Sequence, residues 1–298
     1  MVRTPKKSLT RGAQKPIRIN KSRVAPLSSS VQVGAQSRPG RSKRCFLMNM
    51  IRMVEAFNLF LAVLFTLAYA YQLVYLFLGL IRRKHWKQPE AAQLHRYAAV
   101  ISARNEAGVI GELIHTLKQQ NYPTDLLDVY VVADNCTDDT AGAARQAGAF
   151  VYERFDQVHK GKGYAMDYLF RRLKEEGKDC YNGYFVFDAD NLADPQFLRE
   201  MNNAYRAGAR VAQGFRDSKN PYDSVVSGCY SIYYWMMDRL HNGGRAGLGL
   251  PAMINGTGFM VAASVLERMG GWRTETISED LELSVQCALE EVQVFWVP

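Results

Sequence analysis

The chain has 298 residues, 48% of them hydrophobic and 22% charged, enough to bury one substantial domain with accessories and unlike the composition of a disordered protein. Its net charge of +8 sits in the first 53 residues, which hold thirteen Lys or Arg and no Asp or Glu; the remainder carries 24 basic against 29 acidic groups. A mildly acidic globular part argues against nucleic acid as a partner.

Residues 1–53 are rich in Arg, Lys, Ser, Gly, Pro and Gln, and this composition predicts a disordered basic tail. Two readings of it stand: an arm held to anionic lipid headgroups at about 1 kcal/mol per basic residue, or an extension upstream of a natural start at Met48, Met50 or Met53. Residues 54–82 then read as a transmembrane helix. Positions 56–81 carry no charge over 26 residues, more than a hydrocarbon core of about 30 Å requires. The run is too long for a signal peptide and no small-residue cleavage site follows it. Arg82, Arg83, Lys84, His85, Trp86 and Lys87 close the span with cations and an aromatic, as an interface does. Arg41, Lys43, Arg44 and Arg52 flank the other end, so charge alone does not orient it. Residues 83–96 read as a juxtamembrane linker and 97–298 as the catalytic domain.

Within that domain, strand and helix patterns alternate. Residues 97–102 read as a strand, and Val109, Ile110, Leu113, Ile114 and Leu117 mark one face of a helix. A strand at 127–133, a helix at 138–147, a short strand at 150–152, a helix at 162–174 and a buried strand at 184–187 follow. The βαβαβαβ order with short connections predicts a mostly parallel α/β sheet with right-handed crossovers. The stretch 214–250 is aromatic and apolar, and fits a segment against the membrane, an acceptor platform or a core helix. The five cysteines are scattered singly and the five histidines lack ligand spacing, so neither a disulfide framework nor a zinc site is indicated.

Three acidic stations fall where strands end or helices begin, the edge at which open α/β sheets bind ligands. Asp134 ends a strand and precedes a helix whose N-terminus can face an anion; the same residues also read as a turn with a helix cap. Asp188-Ala189-Asp190 follows a buried strand. Residues i and i+2 of a strand share a face, so the pair can offer hard oxygen ligands to Mg²⁺ or Mn²⁺, a surface turn being the alternative. Glu279-Asp280 opens a helix, where a carboxylate serves as a general base or simply favours the helix dipole. Between them, Lys160-Gly161-Lys162-Gly163 offers glycines and a cation to a phosphate but fails the P-loop pattern.

Taken in order, the runs 101–106, 131–140, Gly161-Lys162-Gly163, Phe187-Asp188-Ala189-Asp190, Gly256-Thr257-Gly258 and Gly271-Trp272 before Glu279-Asp280 resemble family 2 glycosyltransferases. The likeness is to the membrane-anchored branch with cellulose, hyaluronan and poly-N-acetylglucosamine synthases, and it covers 97–298. The resemblance implies a GT-A fold, Rossmann-like, behind one transmembrane helix. It also implies an inverting, metal-dependent transfer from a nucleotide-sugar donor, usually a UDP-sugar, to a saccharide or lipid-linked acceptor. By that resemblance Asp280 is the catalytic base with Glu279 beside it. Ser102, Arg104, Glu106, Asp134, Lys162 and Asp188 bind the nucleotide sugar, Asp190 with Asp188 holds Mg²⁺ or Mn²⁺, and Gly256, Thr257, Gly258 and Trp272 lie on the acceptor side. The donor's compartment places the catalytic domain on the cytoplasmic side of the cell membrane, behind a single-pass anchor.

Two departures accompany the resemblance. The Gln-x-x-Arg-Trp motif of processive members does not occur, so the sequence reads as C-terminally incomplete, and Ala133 stands where many relatives have another aspartate. Two rival functions are a membrane-anchored nucleotidyltransferase, and an inactive chain that only binds nucleotide sugar or a partner.

Overall fold

A computed structural model describes residues 41–81 and 89–298. The expected disordered tail up to residue 40, and the interfacial Arg82, Arg83, Lys84, His85, Trp86 and Lys87, lie outside the described residues. The chain divides into two units, Met1–Phe60 and Leu61–Pro298. In the first, helix α1 (Arg41–Tyr69) begins within the stretch assigned to the tail, so residues 41–53 are helical rather than disordered. The reason is compositional: 45–53 holds three Met, one Leu and one Arg, good helix formers, with Cys45, Phe46, Asn49 and Ile51 between them, a run that the charge count of the tail obscured. A second helix, α2 (Tyr71–Ile81), follows a tightened turn in which Ala70 donates to the Leu67 carbonyl and Leu73 to that of Ala70. Over Cys45–Leu78 the described residues hold one helix long and apolar enough to cross a membrane.

The second unit is built on a seven-stranded sheet in the order β3-β2-β1-β4-β6-β5-β7. The strands are β1 (Tyr97–Ala103), β2 (Leu127–Asp134), β3 (Phe150–Arg154), β4 (Gly183–Asp188), β5 (Val211–Gly214), β6 (Phe259–Ala262) and β7 (Val294–Val297). Strands β1 to β4 pair in parallel, as the alternating pattern predicts. Strand β6 runs antiparallel to both β4 and β5, while β5 and β7 are parallel.

Period-two alternation divides the strand side chains between two cores. Ala99, Ile101, Val131, Phe185 and Phe187 face α3 (Ile110–Lys118), α4 (Thr140–Gln146) and α6 (Phe197–Arg206). Ala98, Val100, Tyr130, Val132, Tyr184 and Val186 face α5 (Lys162–Glu175), α9 (Ala263–Met269) and α10 (Glu279–Leu289). Each residue at the C-terminal end of β1, β2 or β4 is therefore aimed by its parity, and the even-numbered ones point towards α5 and α10.

The apolar stretch after β5 forms α7 (Val225–Trp235), a π-helical segment Met236–Asn242 and α8 (Gly243–Gly247). Helix α7 buries none of its residues, so the core-helix reading fails for Val225–Trp235, while Asp238, Asn242, Gly243 and Gly244 after it are buried. The π-helical segment and α8 pack instead on α2. Tyr75 meets His241 edge to face at 5.7 Å. A Cβ at Gly244 would come within 2.4 Å of the Tyr75 carbonyl oxygen, so no side chain fits there.

Candidate active site

Parity puts Ser102, Asp134 and Asp188 on one face at the C-terminal ends of adjacent strands β1, β2 and β4, with Ser102 and Asp188 paired in register. Arg154, the last residue of β3, lies directly across from Asp134 and extends the row. Its guanidinium donates to Asp134 Oδ1 at 2.6 Å with both side chains buried, to Asp156 Oδ2 at 2.9 Å and to the His159 carbonyl at 2.7 Å. Asp134 is thus oriented by a buried cation, and that cation also ties it to the loop leading into Lys162. Asn135 takes a left-handed conformation (φ 52°), and its side-chain oxygen accepts the Asp156 amide at 2.9 Å. Neither Arg154 nor Asn135 was singled out in the sequence; reading β3 two residues further would have exposed Arg154, since Tyr152 and Arg154 share the face of Asp134.

Lys162 is the hub of the second group. Its ammonium lies 2.6 Å from Asp188 Oδ1, 2.6 Å from the Gly256 carbonyl and 3.0 Å from Glu279 Oε1. Burial alone would lower its pKa, but Asp188 and Glu279 outweigh that and raise it, so it is a fixed cation at neutral pH. The α5 N-terminus approaches the segment before α10 closely: a Cβ at Gly163 would fall 2.3 Å from the Thr274 carbonyl oxygen.

Gly256 joins this cation to the candidate base. Its N–H donates to Asp280 Oδ2 at 2.6 Å, while its carbonyl accepts from Lys162. Gly256 (φ 57°) and Gly258 (φ 67°) adopt left-handed conformations around Thr257, which side chains disfavour. The Thr257 hydroxyl accepts from the Asp188 amide at 2.9 Å and donates to Asn191 Oδ1. Asp280 Oδ1 accepts the Leu281 amide at 2.8 Å. Each carboxylate oxygen keeps a lone pair, so Asp280 retains room to accept a proton.

The other expected residues are dispersed. Asp190 falls in a turn closed by the Asn191 amide on the Asp188 carbonyl, not on the strand, so alternation does not aim it with Asp188. It is exposed, and its Oδ1 accepts from the Asn191 side-chain Nδ2 at 3.3 Å. Arg104 is exposed just beyond β1. Glu106 works through its backbone: its N–H donates to Thr140 Oγ1 at 2.8 Å, and its carbonyl accepts from the Val109 and Ile110 amides at the start of α3. Trp272, expected on the acceptor side, is a core residue instead. It is 2% exposed, stacks on Phe170 at 5.6 Å and donates its indole N–H to Thr274 Oγ1. A large apolar ring beside a strand-facing helix gains more from burial than from solvent.

The residues fit a divalent cation in a limited way. Asp188 Oδ1 is engaged by Lys162, leaving Oδ2, and Asp190 offers an exposed carboxylate. No group of three or more His, Cys, Asp or Glu gathers among the described residues. The chain would therefore supply one or two oxygens, with diphosphate and water completing the shell, which is the way Mg²⁺ is commonly held.

A mostly parallel sheet with carboxylates and a lysine gathered at its C-terminal edge defines an α/β protein of the nucleotide-binding kind. Residues 95–298 match the family described as Glycosyltransferase like family 2, and the chain belongs to that family. It is 26% identical over 220 residues to the probable glycosyltransferase YdaM of Bacillus subtilis, covering 67% of this chain and 48% of that protein. It is 28% identical over 204 residues to the beta-monoglucosyldiacylglycerol synthase of Synechocystis sp., covering 65% of this chain and 40% of that protein. The chain spans about half the length of the curated relatives it matches. Among solved structures, the mannosyltransferase PcManGT from Pyrobaculum calidifontis, in complex with GDP-Man and Mn²⁺, superposes with a TM-score of 0.56 at 20% identity. That match covers 80% of this chain and 66% of that one. The likeness establishes the GT-A fold.

Proposed function

We propose that this chain transfers a sugar from a nucleotide donor, a UDP-sugar by preference, to a hydroxyl of a saccharide or lipid-linked acceptor, with inversion at the anomeric carbon. The observation that carries the reading is the shared hub: one ammonium, Lys162, contacts donor-side Asp188 and Glu279, and one loop residue, Gly256, contacts both Lys162 and Asp280. Donor and base elements are thereby coupled through two residues, Lys162 and Gly256.

In this mechanism Asp134, oriented by Arg154, accepts hydrogen bonds from the nucleobase, and Ser102 and Arg104 border the donor. The acceptor O–H attacks the anomeric carbon from the side opposite the diphosphate. The new C–O bond forms as the C–O bond to phosphate breaks, Asp280 takes the acceptor proton, and nucleoside diphosphate leaves. Lys162 and the Asp188 region face the charge that gathers on the diphosphate. A divalent cation held by Asp188 and Asp190, when bound, supplies further neutralising charge there.

The setting we propose is the cytoplasmic face of a membrane, with the anchor at Cys45–Leu78 and the catalytic domain over 97–298. Helix α7 supports it: its eleven residues carry no charge, and Val225, Tyr230, Ile232 and Tyr233 are all exposed, an interfacial composition. Relatives named as beta-monoglucosyldiacylglycerol synthases favour a lipid hydroxyl as acceptor.

The test incubates the full chain with UDP-glucose, diacylglycerol vesicles and Mg²⁺ or Mn²⁺. Release of UDP with a glycolipid of inverted anomeric configuration is expected. Release of pyrophosphate, or stoichiometric UDP binding without turnover across UDP-sugars and acceptors, would contradict the proposal.

A further inference from the structure

Residues 253–256 form a strap whose successive members are tied to different parts of the molecule. Met253 exchanges two hydrogen bonds with the side chain of Asn242, at 3.0 and 3.3 Å. The Ile254 amide donates to Ser284 Oγ on α10 at 3.0 Å, and that hydroxyl donates to the Asp280 carbonyl at 3.0 Å. The Asn255 carbonyl accepts Arg216 Nη1 at 2.9 Å, and its amide donates to Gln213 Oε1 at 2.9 Å. Gly256 then reaches Asp280 and Lys162.

Two of these ties lead back to the π-helical segment. Asn242 belongs to it, and so does Asp238, which accepts the Arg216 backbone N–H at 3.0 Å and lies 3.5 Å from Arg216 Nε. Asp238, Asn242 and Gln213 are fully buried. The guanidinium of Arg216 is further boxed by the Tyr234 ring at 5.0 Å. Asp238 Oδ1 and Arg216 Nε are buried without a hydrogen-bond partner among the described residues, a cost that calls for an explanation such as fixing geometry nearby. Single-turn π-helical segments also recur at functional sites.

We infer that Asp238, Arg216 and Asn242 are positioning residues for the transfer reaction. They hold the strap at 253–256 so that Gly256 presents its N–H to Asp280 and its carbonyl to Lys162, fixing the candidate base against the donor cluster. Because the π-helical segment packs on α2 through His241, and α8 directly after it through Gly244, the strap connects the C-terminal part of the apolar helices to the site. The inference rests on the reading of Asp280 as the base.

The experiment compares the full-length wild type with the double variant Arg216→Met/Asp238→Leu. Removing both charges together avoids leaving one buried and unpaired, which is the costly change. Two quantities are read: amide hydrogen exchange at 254–256, and turnover of UDP-glucose with diacylglycerol vesicles beside the dissociation constant and stoichiometry of UDP. The expected result is exchange at 254–256 faster by about tenfold with β1 and β4 unchanged, and kcat lower by about tenfold with UDP binding within about twofold. An undiminished UDP stoichiometry separates misplacement from a loss of folded protein. Unchanged exchange in the strap overturns the inference, as does wild-type turnover in the variant. Should the double variant not fold, Asn242→Ser, which releases the bonds on Met253, is read by the same measurements and criteria. If the wild type itself binds UDP without turnover, the proposed function fails, and the exchange arm still decides whether these residues hold the strap.

Discussion

The two halves of the sheet hold their polar side chains in place by different means. Across β3, β2, β1 and β4 the strands are parallel and in simple order, and the pleat itself aims Arg154, Asp134, Ser102 and Asp188 at one face. Across β6, β5 and β7 the order is mixed, and the proposed acceptor side is assembled from a loop, a helix start and a π-helical segment. There Asp280 is placed by a backbone N–H of Gly256, and the loop by side chains of Asn242, Arg216 and Ser284. On the proposed assignment, a donor side built on strand parity tolerates loop change, whereas an acceptor side built on long-range hydrogen bonds depends on each of them.

That contrast can be broken at several points. The largest effect on stability is expected at Trp272, which joins the two halves by stacking on Phe170 and Phe259. Trp272→Ala should cost about 3–5 kcal/mol in denaturant unfolding, while Trp272→Phe should leave the acceptor KM unchanged. A large KM change in the Phe variant would return the residue to the acceptor side.

Asp238 sharpens the comparison through pH. Burial pushes its carboxyl up to about 6, against the opposing pull of Arg216. A raised carboxyl pKa means the folded state holds its proton more tightly, so this group's contribution falls as pH rises from about 4 to about 6 and is flat above. Asp238→Asn should therefore gain about 2 kcal/mol on the wild type between pH 4 and pH 7. Parallel stability curves for the two proteins would refute it.

Lys162 slopes the same way with pH but in the alkaline range, and here the fold favours the charged form. Its raised pKa makes its stabilisation complete below the ordinary lysine value and lost as pH climbs through the higher folded value. Lys162→Met should lower stability by about 1–3 kcal/mol at neutral pH, with the gap closing only in strong alkali. A gap that closed near neutrality would mean that the contacts to Asp188 and Glu279 contribute nothing.

The smallest effect on folding belongs to α7. Ile232→Asp with Tyr233→Asp should change stability by no more than about 0.5 kcal/mol, because both side chains are exposed. In the same variant, quenching of the α7 tryptophan, Trp235, by bromine-labelled lipid in vesicles should weaken by several-fold. Unaltered quenching would remove α7 from the membrane surface.

The donor half was legible because local patterns set it. Strands at 97–102, 127–133 and 184–187 and helices at 109–117 and 162–174 emerge within a residue or two of their observed bounds. Asp134 and Asp188 were found as strand ends, and Lys162 as the cation after a glycine. The acceptor half was not, because its geometry comes from pairings between residues distant in sequence. Nothing near Asn255 announces that its carbonyl meets Arg216, or that Asn242 spans Met253. Trp272 was misassigned because a tryptophan after two glycines looks the same whether it faces solvent or Phe170. Asp190 was aimed by strand alternation, yet β4 ends at Asp188. The tail boundary missed the helical 41–53 because its charge count hid an apolar run.

The central claim is that Asp280, held by Gly256 beside the Lys162 cluster, takes the acceptor proton. Asp280→Asn keeps the shape and an acceptor for the Gly256 N–H while removing the base. With UDP-glucose, diacylglycerol vesicles and Mg²⁺ or Mn²⁺, its turnover should fall about 10³-fold, with UDP affinity within about twofold of wild type. Turnover near the wild-type rate, or UDP affinity lost along with it, would contradict the account.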